Sequence, residues 1–328
     1  MLISIKSIHN SVILFFMLLI CSTALGQETN GENQQKIDLE KIFPDPLTMT
    51  SDKYTVKRID VKNNRGQNIY GVAFIPNEAK SKCVPLVILS HGFSSCHRYH
   101  AHYAQRMAEN GVAMYIYDFC GGALNSKSDG RVQDMSVTTE RDDLKSVFRA
   151  ARKWKWVDTK NIFLSGESQG GFVSAYAGAE IQKDIRGMVL LYPALHIPVA
   201  MCKAFPDVAQ RMHEKGSAFA AKSESLKTNT DGSLPRPDAF GSMPIGPVYP
   251  LDAISLNTID ITRSFKRPVL IIHGDQDALV DITYAFQALK DYPNAQLKII
   301  PGANHGFWGE QGAKASQWML DFVKKQIK

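Results

Sequence analysis

The feature that most constrains the fold of this chain is a series of short, nearly continuous apolar runs separated by helical patterns. Strands that are buried on both faces have this composition, because helices cover both sides of a parallel sheet. The alternation predicts a doubly wound α/β fold, in which ligands bind at the carboxyl ends of the strands. The runs are VPLVILS (84–90), VAMYIYD (112–118), NIFLS (161–165), GMVLLYP (187–193) and PVLIIHG (268–274).

Two segments that precede these runs predict half-exposed antiparallel strands. YTVKRIDV (54–61) and NIYGVAFIP (68–76) alternate apolar and polar residues, as strands with one solvated face do. Among the helical patterns, TTERDDLKSVFRAARKW (138–154) has Thr139 as its expected N-cap. The chain of 328 residues can supply one large core, and we place a single catalytic domain at residues 51–328.

Residues 194–257 interrupt the alternation of strands and helices. Prolines and glycines are frequent there, and no strand period is visible. A connection this long is either a functional lid or disordered. Its large apolar side chains favour an ordered cap, inserted between the sixth and seventh strands of the sheet; these are Met201, Phe205, Met212, Phe219, Phe240 and Tyr249.

The N-terminal segment predicts export. The apolar run SVILFFMLLI (11–20) follows a basic residue and precedes the small residues of Ala24-Leu25-Gly26, which is the pattern of a signal peptide. The run is shorter than the roughly 20 residues of a membrane span, so no stable membrane insertion is expected after cleavage. We predict a signal peptide at residues 1–26, a flexible leader at 27–50, and a periplasmic or secreted protein.

The cysteines leave two questions open. Cys21 could serve as a lipoprotein attachment site, although the bulky Ile20 before it argues against that. Four cysteines follow the predicted cleavage site, and in an oxidising compartment they allow three pairings, among which the sequence does not choose. Buried free thiols are the alternative; the four are Cys83, Cys96, Cys120 and Cys202.

Charge and motif content exclude several classes of partner. The net charge of +6 is spread along the chain without a basic patch interleaved with aromatics, so nucleic acid is not an expected partner. No glycine loop for phosphate is present, and we expect no cofactor. His97, His100 and His102 could suggest a metal site, but no nearby carboxylate is evident in the sequence to complete a ligand set, so no metal is expected. Oligomeric state stays open.

The stretch Gly166-Glu167-Ser168-Gln169-Gly170 lies between the run NIFLS and the helical pattern FVSAYAGAEI. A G-x-S-x-G sequence between a strand and a helix is the nucleophile elbow, a tight turn with a strained serine and glycines where side chains would collide. The turn presents the Ser168 hydroxyl at the helix N-terminus. There the Gln169 backbone N–H and the helix dipole can stabilise an oxyanion.

A serine nucleophile needs a base and a carboxylate that orients the base. Asp277 follows the run PVLIIHG and is the expected acid, with Asp275 as the less favoured candidate at the strand edge. His305 follows the short strand LKIIPG and is the expected base. A surface or capping histidine is the alternative interpretation.

A second oxyanion donor is expected in the loop after the first apolar run. The sequence there is His91-Gly92-Phe93, where glycine allows close backbone approach and the Phe93 backbone N–H is the expected donor. His91 is expected to support this loop rather than to react. Asp118, at the end of the run VAMYIYD, is expected to be a structural carboxylate.

The motifs HGF, GESQGG, HGDQDALV and NHGF, in this order, resemble those of the α/β-hydrolase superfamily from about residue 54 onward. The resemblance implies the α/β-hydrolase fold. The HGF loop, the S-x-G-G elbow and the cap are similar to those of feruloyl or cinnamoyl esterases and related serine carboxylesterases. Glu167 departs from this pattern, because several of these esterases carry histidine before the serine.

The expected function is hydrolysis of carboxylic esters through an acyl-enzyme on Ser168, with a small-molecule or carbohydrate-linked ester as substrate. The apolar cap favours hydroxycinnamoyl esters, with Tyr249 and Asp252 as candidates to meet a phenolic hydroxyl. Alternatives are a short-chain acyl esterase, a thioesterase and a prolyl-oligopeptidase-like peptidase. A binding module without catalysis is disfavoured because the serine, aspartate and histidine are all present.

Overall fold

The structure is a computed structural model that describes residues 42–215, 226–235 and 243–327. Its strands are β1 (Tyr54–Arg58), β2 (Val61–Lys62), β3 (Asn68–Ile69), β4 (Gly71–Pro76), β5 (Val84–Ser90), β6 (Ala113–Tyr117), β7 (Val157–Glu167), β8 (Gly187–Leu191), β9 (Val269–Gly274) and β10 (Ala295–Ile300). Its α-helices are α1 (Ala101–Ala108), α2 (Val137–Ala151), α3 (Ser168–Ile181), α4 (Ile197–Ala204), α5 (Pro206–Lys215), α6 (Val248–Ile254), α7 (Thr258–Ser264), α8 (Thr283–Asp291) and α9 (Gly309–Gln326).

Eight strands form one mixed sheet in the order β1-β4-β6-β5-β7-β8-β9-β10. Strands β1, β4 and β6 pair antiparallel, and the pairs from β6 through β10 are parallel. The chain leaves β5 to form β6 on one side and returns to form β7 on the other side. This reversal is a topological switch point, which opens a crevice at the carboxyl ends of β5 and β7.

The five apolar runs all form strands of this sheet, as predicted. The structure differs from the prediction in three segments. YTVKRIDV divides into β1 and β2. Strand β4 is almost entirely buried instead of half-exposed, because its side chains contribute to the apolar clusters on both faces of the sheet. Strand β7 begins at Val157 rather than near residue 161, because Val157 also pairs with Val84 of β5. The segment NIYGVAFIP divides at Tyr70, since Asn68–Ile69 pairs with Val61–Lys62 while Gly71–Pro76 pairs with β1.

Both faces of the sheet are buried under helices. Alternate residues of β5 illustrate this: Leu86 and Ile88 belong to one apolar cluster, and Val87 and Leu89 belong to the other. Helices α2 and α3 cover the first face, and α1 and α9 cover the second. Two covered faces explain why the five apolar runs, which form the inner strands, are apolar throughout instead of alternating.

Helix α2 begins one turn earlier than the sequence suggested. Its N-cap is Ser136, whose hydroxyl accepts a hydrogen bond from the Thr139 N–H, while the Thr139 hydroxyl accepts one from the Ser136 N–H. This is a capping box, so Thr139 lies at the third helical position and the prediction of Thr139 as N-cap was wrong. The sequence pattern did not distinguish the two residues, because Ser and Thr can each occupy the N-cap or the third helical position.

The cap lies between β8 and β9, the sixth and seventh strands of the sequence-based count. Its described parts include α4, α5 and α6. They bury apolar side chains, namely Met201, Met212, Leu234, Met243, Ile245 and Tyr249. Phe219 and Phe240 lie outside the described residues, as do the predicted signal peptide, Cys21 and most of the leader. None of the helices in the described residues combines the length and the apolar composition of a membrane span.

Candidate active site

Ser168 lies at a tight turn, directly after the last residue of β7 and at the first position of α3. Its φ is +50°, a left-handed conformation that costs a non-glycine residue about 1–3 kcal/mol unless its surroundings impose it. Ser168 is partly exposed, whereas Gly166, Glu167, Gln169 and Gly170 around it are buried. The turn therefore presents one hydroxyl at the surface of the crevice, as the elbow motif predicts.

Two glycines make this turn possible. A Cβ placed on Gly166 would lie 2.1 Å from the Gly170 carbonyl oxygen. One placed on Gly170 would lie 2.3 Å from the carbonyl oxygens of both Ser90 and His91. Because these contacts involve backbone atoms that cannot move aside, alanine at either position would force the elbow open.

The loop after β5 lies directly beside the elbow. A Cβ on Gly92 would lie 3.3 Å from the Ser168 Cβ, so Phe93 follows a backbone segment in contact with the serine. The sequence-predicted role of His91 as a support is confirmed: its Nδ1 lies 2.8 Å from the Gly92 oxygen, and its Nε2 accepts from the Phe119 N–H at 3.0 Å. Burial lowers the pKa of His91 to about 4, which keeps the ring neutral for this arrangement.

Gln169 is the second residue of α3, so its backbone N–H has no acceptor within the helix. An N–H in the first turn of a helix is available to an acceptor outside the helix, here beside Ser168. The Gln169 side chain is buried and bonded at both ends: its Nε2 donates to Glu140 Oε2 at 2.8 Å, and its Oε1 accepts from the Tyr249 hydroxyl. Sequence reasoning used only the backbone of Gln169 and missed these partners.

The structure brings Asp277 and His305 together. His305 Nδ1 lies 2.8 Å from Asp277 Oδ2, and the Asp277 side chain is fully buried. The other carboxylate oxygen accepts the backbone N–H groups of Leu279 and Val280, both at 2.9 Å. Strands β7, β8, β9 and β10 are successive neighbours in the sheet, so the loops after β9 and β10 lie at the same edge as Ser168.

Asp275 has a different position. Its Oδ1 accepts from the Gly302 N–H at 2.6 Å, and the residue is exposed. It therefore connects the loop after β9 to the turn after β10, whereas His305 contacts Asp277. The geometry agrees with the preference for Asp277 over Asp275.

Two residues that the sequence did not single out hold this pair in place. The His273 Nε2 lies 2.9 Å from the Val280 oxygen and 3.2 Å from Asp277 Oδ2. The Asn304 Oδ1 accepts from the N–H groups of Ala278 and His305, which joins the two loops. Although burial alone would raise the pKa of Asp277, hydrogen bonds from His273 and His305 hold it well below its usual range, so the carboxylate stays ionised.

Tyr192 lies between the elbow and the histidine. The backbone of this segment contacts Ser168, since the Ala194 N–H donates to the Ser168 oxygen at 2.8 Å. The Tyr192 ring meets the His305 ring edge-on, with centroids 4.7 Å apart. Its φ of +35° is another left-handed conformation at this edge, besides those of Ser94 and Ser168, and no sequence motif predicted it.

Glu167, the residue that departs from the esterase pattern, is buried beneath the elbow. Its Oε2 lies 2.8 Å from His100 Nδ1. Burial raises the pKa of this carboxyl, but the neighbouring His100 and a hydrogen bond from Tyr192 outweigh it and lower the pKa. The carboxylate therefore connects the elbow to His100, just before α1, and to Tyr192, just after β8.

The sequence-based argument that no carboxylate lies near the three histidines was wrong. Besides the contact of His100 with Glu167, His97 Nδ1 lies 2.7 Å from Asp118 Oδ1. Asp118 also accepts the N–H groups of His97 and Lys127, which is the structural role expected of it. Strand order made these contacts, because β6 and β7 flank β5.

Cys96, His97 and Asp118 form a buried group whose possible ligand atoms lie within 4.8 Å of one another. The Asp118 oxygens are already used by three N–H donors within the protein. Burial raises the pKa of the Cys96 thiol to about 12, which disfavours the thiolate that a metal would need. We interpret the group as a structural contact. All four described cysteines are free thiols.

The two cap residues considered for a phenolic hydroxyl have partners within the protein. The Tyr249 hydroxyl donates to Gln169, and Asp252 Oδ2 accepts from the Ser136 hydroxyl.

His196, at the start of the cap, was missed by sequence reasoning. Its ring lies against Tyr284, with centroids 5.1 Å apart, and burial together with the nearby His305 lowers its pKa.

Comparison with known proteins identifies the family of the chain. Residues 81–312 match the family model of hydrolases described as serine aminopeptidase, S33. The chain is 29% identical to the non-heme chloroperoxidase CPO-A1 of Kitasatospora aureofaciens over 52% of its length and 70% of that protein. It is 26% identical to the monoglyceride lipase of Rattus norvegicus over 67% of its length and 75% of the lipase.

A solved structure shows the same architecture over most of the chain. Est1E from Butyrivibrio proteoclasticus with bound ferulic acid superposes with a TM-score of 0.67 at 25% identity, covering 82% of this chain and 98% of that one. The resemblance to α/β-hydrolases of the esterase type that the sequence motifs indicated is thus confirmed. The chain belongs to the serine aminopeptidase, S33 family of α/β-hydrolases, and it is a hydrolase of the esterase type.

Proposed function

We propose that the protein is an exported serine hydrolase that cleaves carboxylic esters through an acyl-enzyme on Ser168. One observation carries the proposal. A strained, partly exposed serine shares a sheet edge with a histidine whose Nδ1 is bonded to a buried carboxylate, Asp277. This arrangement supplies the nucleophile, base and orienting acid that acyl transfer requires.

In the proposed mechanism the Ser168 Oγ attacks the ester carbonyl carbon while His305 takes the hydroxyl proton. Asp277 holds the His305 tautomer and stabilises the imidazolium. The backbone N–H groups of Phe93 and Gln169 stabilise the tetrahedral oxyanion. When the intermediate collapses, His305 gives its proton to the departing alcohol. Water then repeats the sequence on the acyl-enzyme and releases the acid.

The narrower proposal is a hydroxycinnamoyl ester, such as a feruloyl ester of plant carbohydrate. Its support is the similarity to Est1E, whose structure holds ferulic acid, and the apolar cap beside Phe93. A short-chain acyl ester or a thioester would use the same chemistry.

A peptidase is the second candidate, because the matching family is described as serine aminopeptidase. Activity toward methyl ferulate, p-nitrophenyl acetate, p-nitrophenyl butyrate and a dipeptidyl nitroanilide separates these functions by kcat/KM. Ester preference, abolished in Ser168→Ala, supports the esterase. A preference for the nitroanilide would exclude the esterase proposal. Failure to prefer methyl ferulate would exclude only the hydroxycinnamoyl ester as substrate. Absence of all turnover, with Ser168 unreactive toward a phosphonate, would instead indicate a binding module.

Export and cofactor independence are separate parts of the proposal. The signal-peptide pattern of residues 1–26 places the start of the mature protein near Gln27, which N-terminal sequencing of the exported form checks. A lipid-modified Cys21 at the new terminus would indicate a lipoprotein. The proposed chemistry uses no metal, so activity should survive dialysis against EDTA; a loss restored by zinc or calcium would contradict this.

A further inference from the structure

One residue of the cap touches both proposed oxyanion residues. Tyr249 lies on α6 and is only 4% exposed. Its hydroxyl donates to the Gln169 side-chain oxygen. Its ring meets the Phe93 ring edge-on, with centroids 5.8 Å apart. The loop after β5 and the first turn of α3, which carry the two backbone donors, therefore meet at a single cap side chain.

The other end of the Gln169 side chain, its amide nitrogen, is held by helix α2. Its Nε2 donates to Glu140 Oε2 at 2.8 Å, and Glu140 is a buried residue of α2. Rotation of the Gln169 side chain would leave buried polar groups unpaired, which costs more than a hydrogen bond contributes. An amide fixed at both ends therefore restrains the first turn of α3, which carries the Gln169 backbone N–H.

The position of Tyr249 is itself fixed by contacts between the cap and α2. Asp252, one turn further along α6, accepts a hydrogen bond from the hydroxyl of Ser136, the N-cap of α2. Just before α6, the backbone passes so close to Gln133 that a Cβ on Gly246 would lie 2.1 Å from the Gln133 oxygen. Helix α6 is thus seated on the start of α2, and Tyr249 reaches from there into the elbow.

We propose that Tyr249 is a positioning residue for the oxyanion hole. Through its hydroxyl on Gln169 and its ring on Phe93, it holds both backbone donors where the tetrahedral intermediate needs them, so that seating of the cap completes the catalytic site. This inference rests on the proposed function. It assigns Tyr249 a role in catalysis of the ester step, whatever acyl group the cap selects.

The physical reason is the narrow geometry that an oxyanion hole requires. Donors act at about 2.7–3.1 Å from the developing negative charge, and displacements of about 0.5 Å already impair a site of this kind. Because the interaction strengthens in the transition state, loosening the donors lowers kcat more than it changes substrate binding.

The test compares Tyr249→Phe, which removes one hydroxyl and keeps the ring, with Gln169→Met, which keeps the backbone N–H and removes both side-chain hydrogen bonds. With p-nitrophenyl butyrate, each variant should lose about 10-fold in kcat, less than the roughly 10²–10³-fold of a deleted oxyanion donor, while KM changes less than about 3-fold. Inhibition by an alkylboronic acid, which forms a tetrahedral adduct on serine, should weaken in parallel. The double variant should be no worse than the poorer single variant, because both act through one contact.

Active-site titration with a fluorophosphonate expresses kcat per folded molecule. Tyr292→Phe is the matched control, because Tyr292 is buried and its hydroxyl has no hydrogen-bond partner in the described part of the chain; its kcat should equal that of the wild type. Unchanged kcat in Tyr249→Phe, a change in KM alone, or additive losses in the double variant would overturn the proposal. Absence of wild-type ester turnover would instead remove the proposed function together with this one.

Discussion

Two histidine–carboxylate pairs of this molecule have almost the same local geometry and different surroundings. His305 Nδ1 lies 2.8 Å from Asp277, and His97 Nδ1 lies 2.7 Å from Asp118. Both carboxylates are fully buried and also accept backbone N–H groups. We call them the edge pair and the buried pair.

The pairs differ in the surroundings of the histidine Nε2, the ring nitrogen that does not contact the carboxylate. His97 is 2% exposed, and its Nε2 has no hydrogen-bond partner among residues 42–215, 226–235 and 243–327. His305 has an 11% exposed side chain and lies at the sheet edge that carries Ser168. A histidine bonded to a carboxylate is therefore not a catalytic pair by itself. In the proposed mechanism, the edge pair differs by its position at the sheet edge that carries Ser168.

The largest expected effect tests the edge pair together with its serine. Ser168→Ala and His305→Ala should each lower kcat about 10³-fold or more, because nucleophile and base act as one unit. The measurement is ester hydrolysis by purified protein, with the folded state checked by circular dichroism. His305→Ala with near wild-type turnover would remove the edge pair from the mechanism.

Amidation of each carboxylate should separate the two pairs most directly. Asp277→Asn should lower kcat on the order of 10³-fold, because asparagine favours the wrong histidine tautomer. Asp118→Asn should keep kcat per titrated active site within about 3-fold, since Asp118 only secures loops. Equal losses of kcat in the two variants would contradict the distinction.

The free energy of unfolding should respond in the opposite order, with the larger loss in Asp118→Asn. Asp118→Asn leaves N–H donors facing a neutral amide in a fully buried site, which should lower the free energy of unfolding by about 2–4 kcal/mol. Urea unfolding followed by tryptophan fluorescence measures this difference. An Asp118→Asn protein as stable as the wild type would mean that the buried pair contributes no net stability.

A smaller effect is expected at His273, which supports Asp277 from behind. His273→Leu removes the contact at 3.2 Å and should lower kcat about 10-fold with little change in KM, because a less firmly held Asp277 orients His305 less well. His273→Gln, which can place a donor near the same point, is the control and should recover part of the loss. A change confined to KM would indicate a role in substrate binding instead.

The smallest effect is expected at Asp275. Asp275→Asn should cost less than about 10-fold in kcat, because asparagine can still accept the Gly302 N–H. The side-by-side measurement with Asp277→Asn decides which acid serves His305. A larger loss at Asp275 than at Asp277 would reverse the assignment of the edge pair.

Much of the site was predictable because its signals are local. The apolar runs, the glycines around Ser168 and the positions of Asp277 and His305 after late strands are visible along the chain, since each depends on backbone geometry over a few residues. The exact ends of β7 and α2 were not predictable. The start of β7 depends on the pairing of Val157 with Val84, which is distant in the sequence. The start of α2 is ambiguous in the sequence because Ser136 and Thr139 are both possible N-caps.

The sequence by itself predicted the strands of the sheet, the elbow turn, and the order of Ser168, Asp277 and His305 along the chain, because strand composition and turn chemistry are properties of short segments. Only the tertiary structure decided which polar side chains meet. His97 contacts Asp118, His100 contacts Glu167, and Tyr249 contacts Gln169 across separations that no local pattern records. Strand order and the seating of the cap bring these residues together, and a buried polar group is stable only where such a partner arrives.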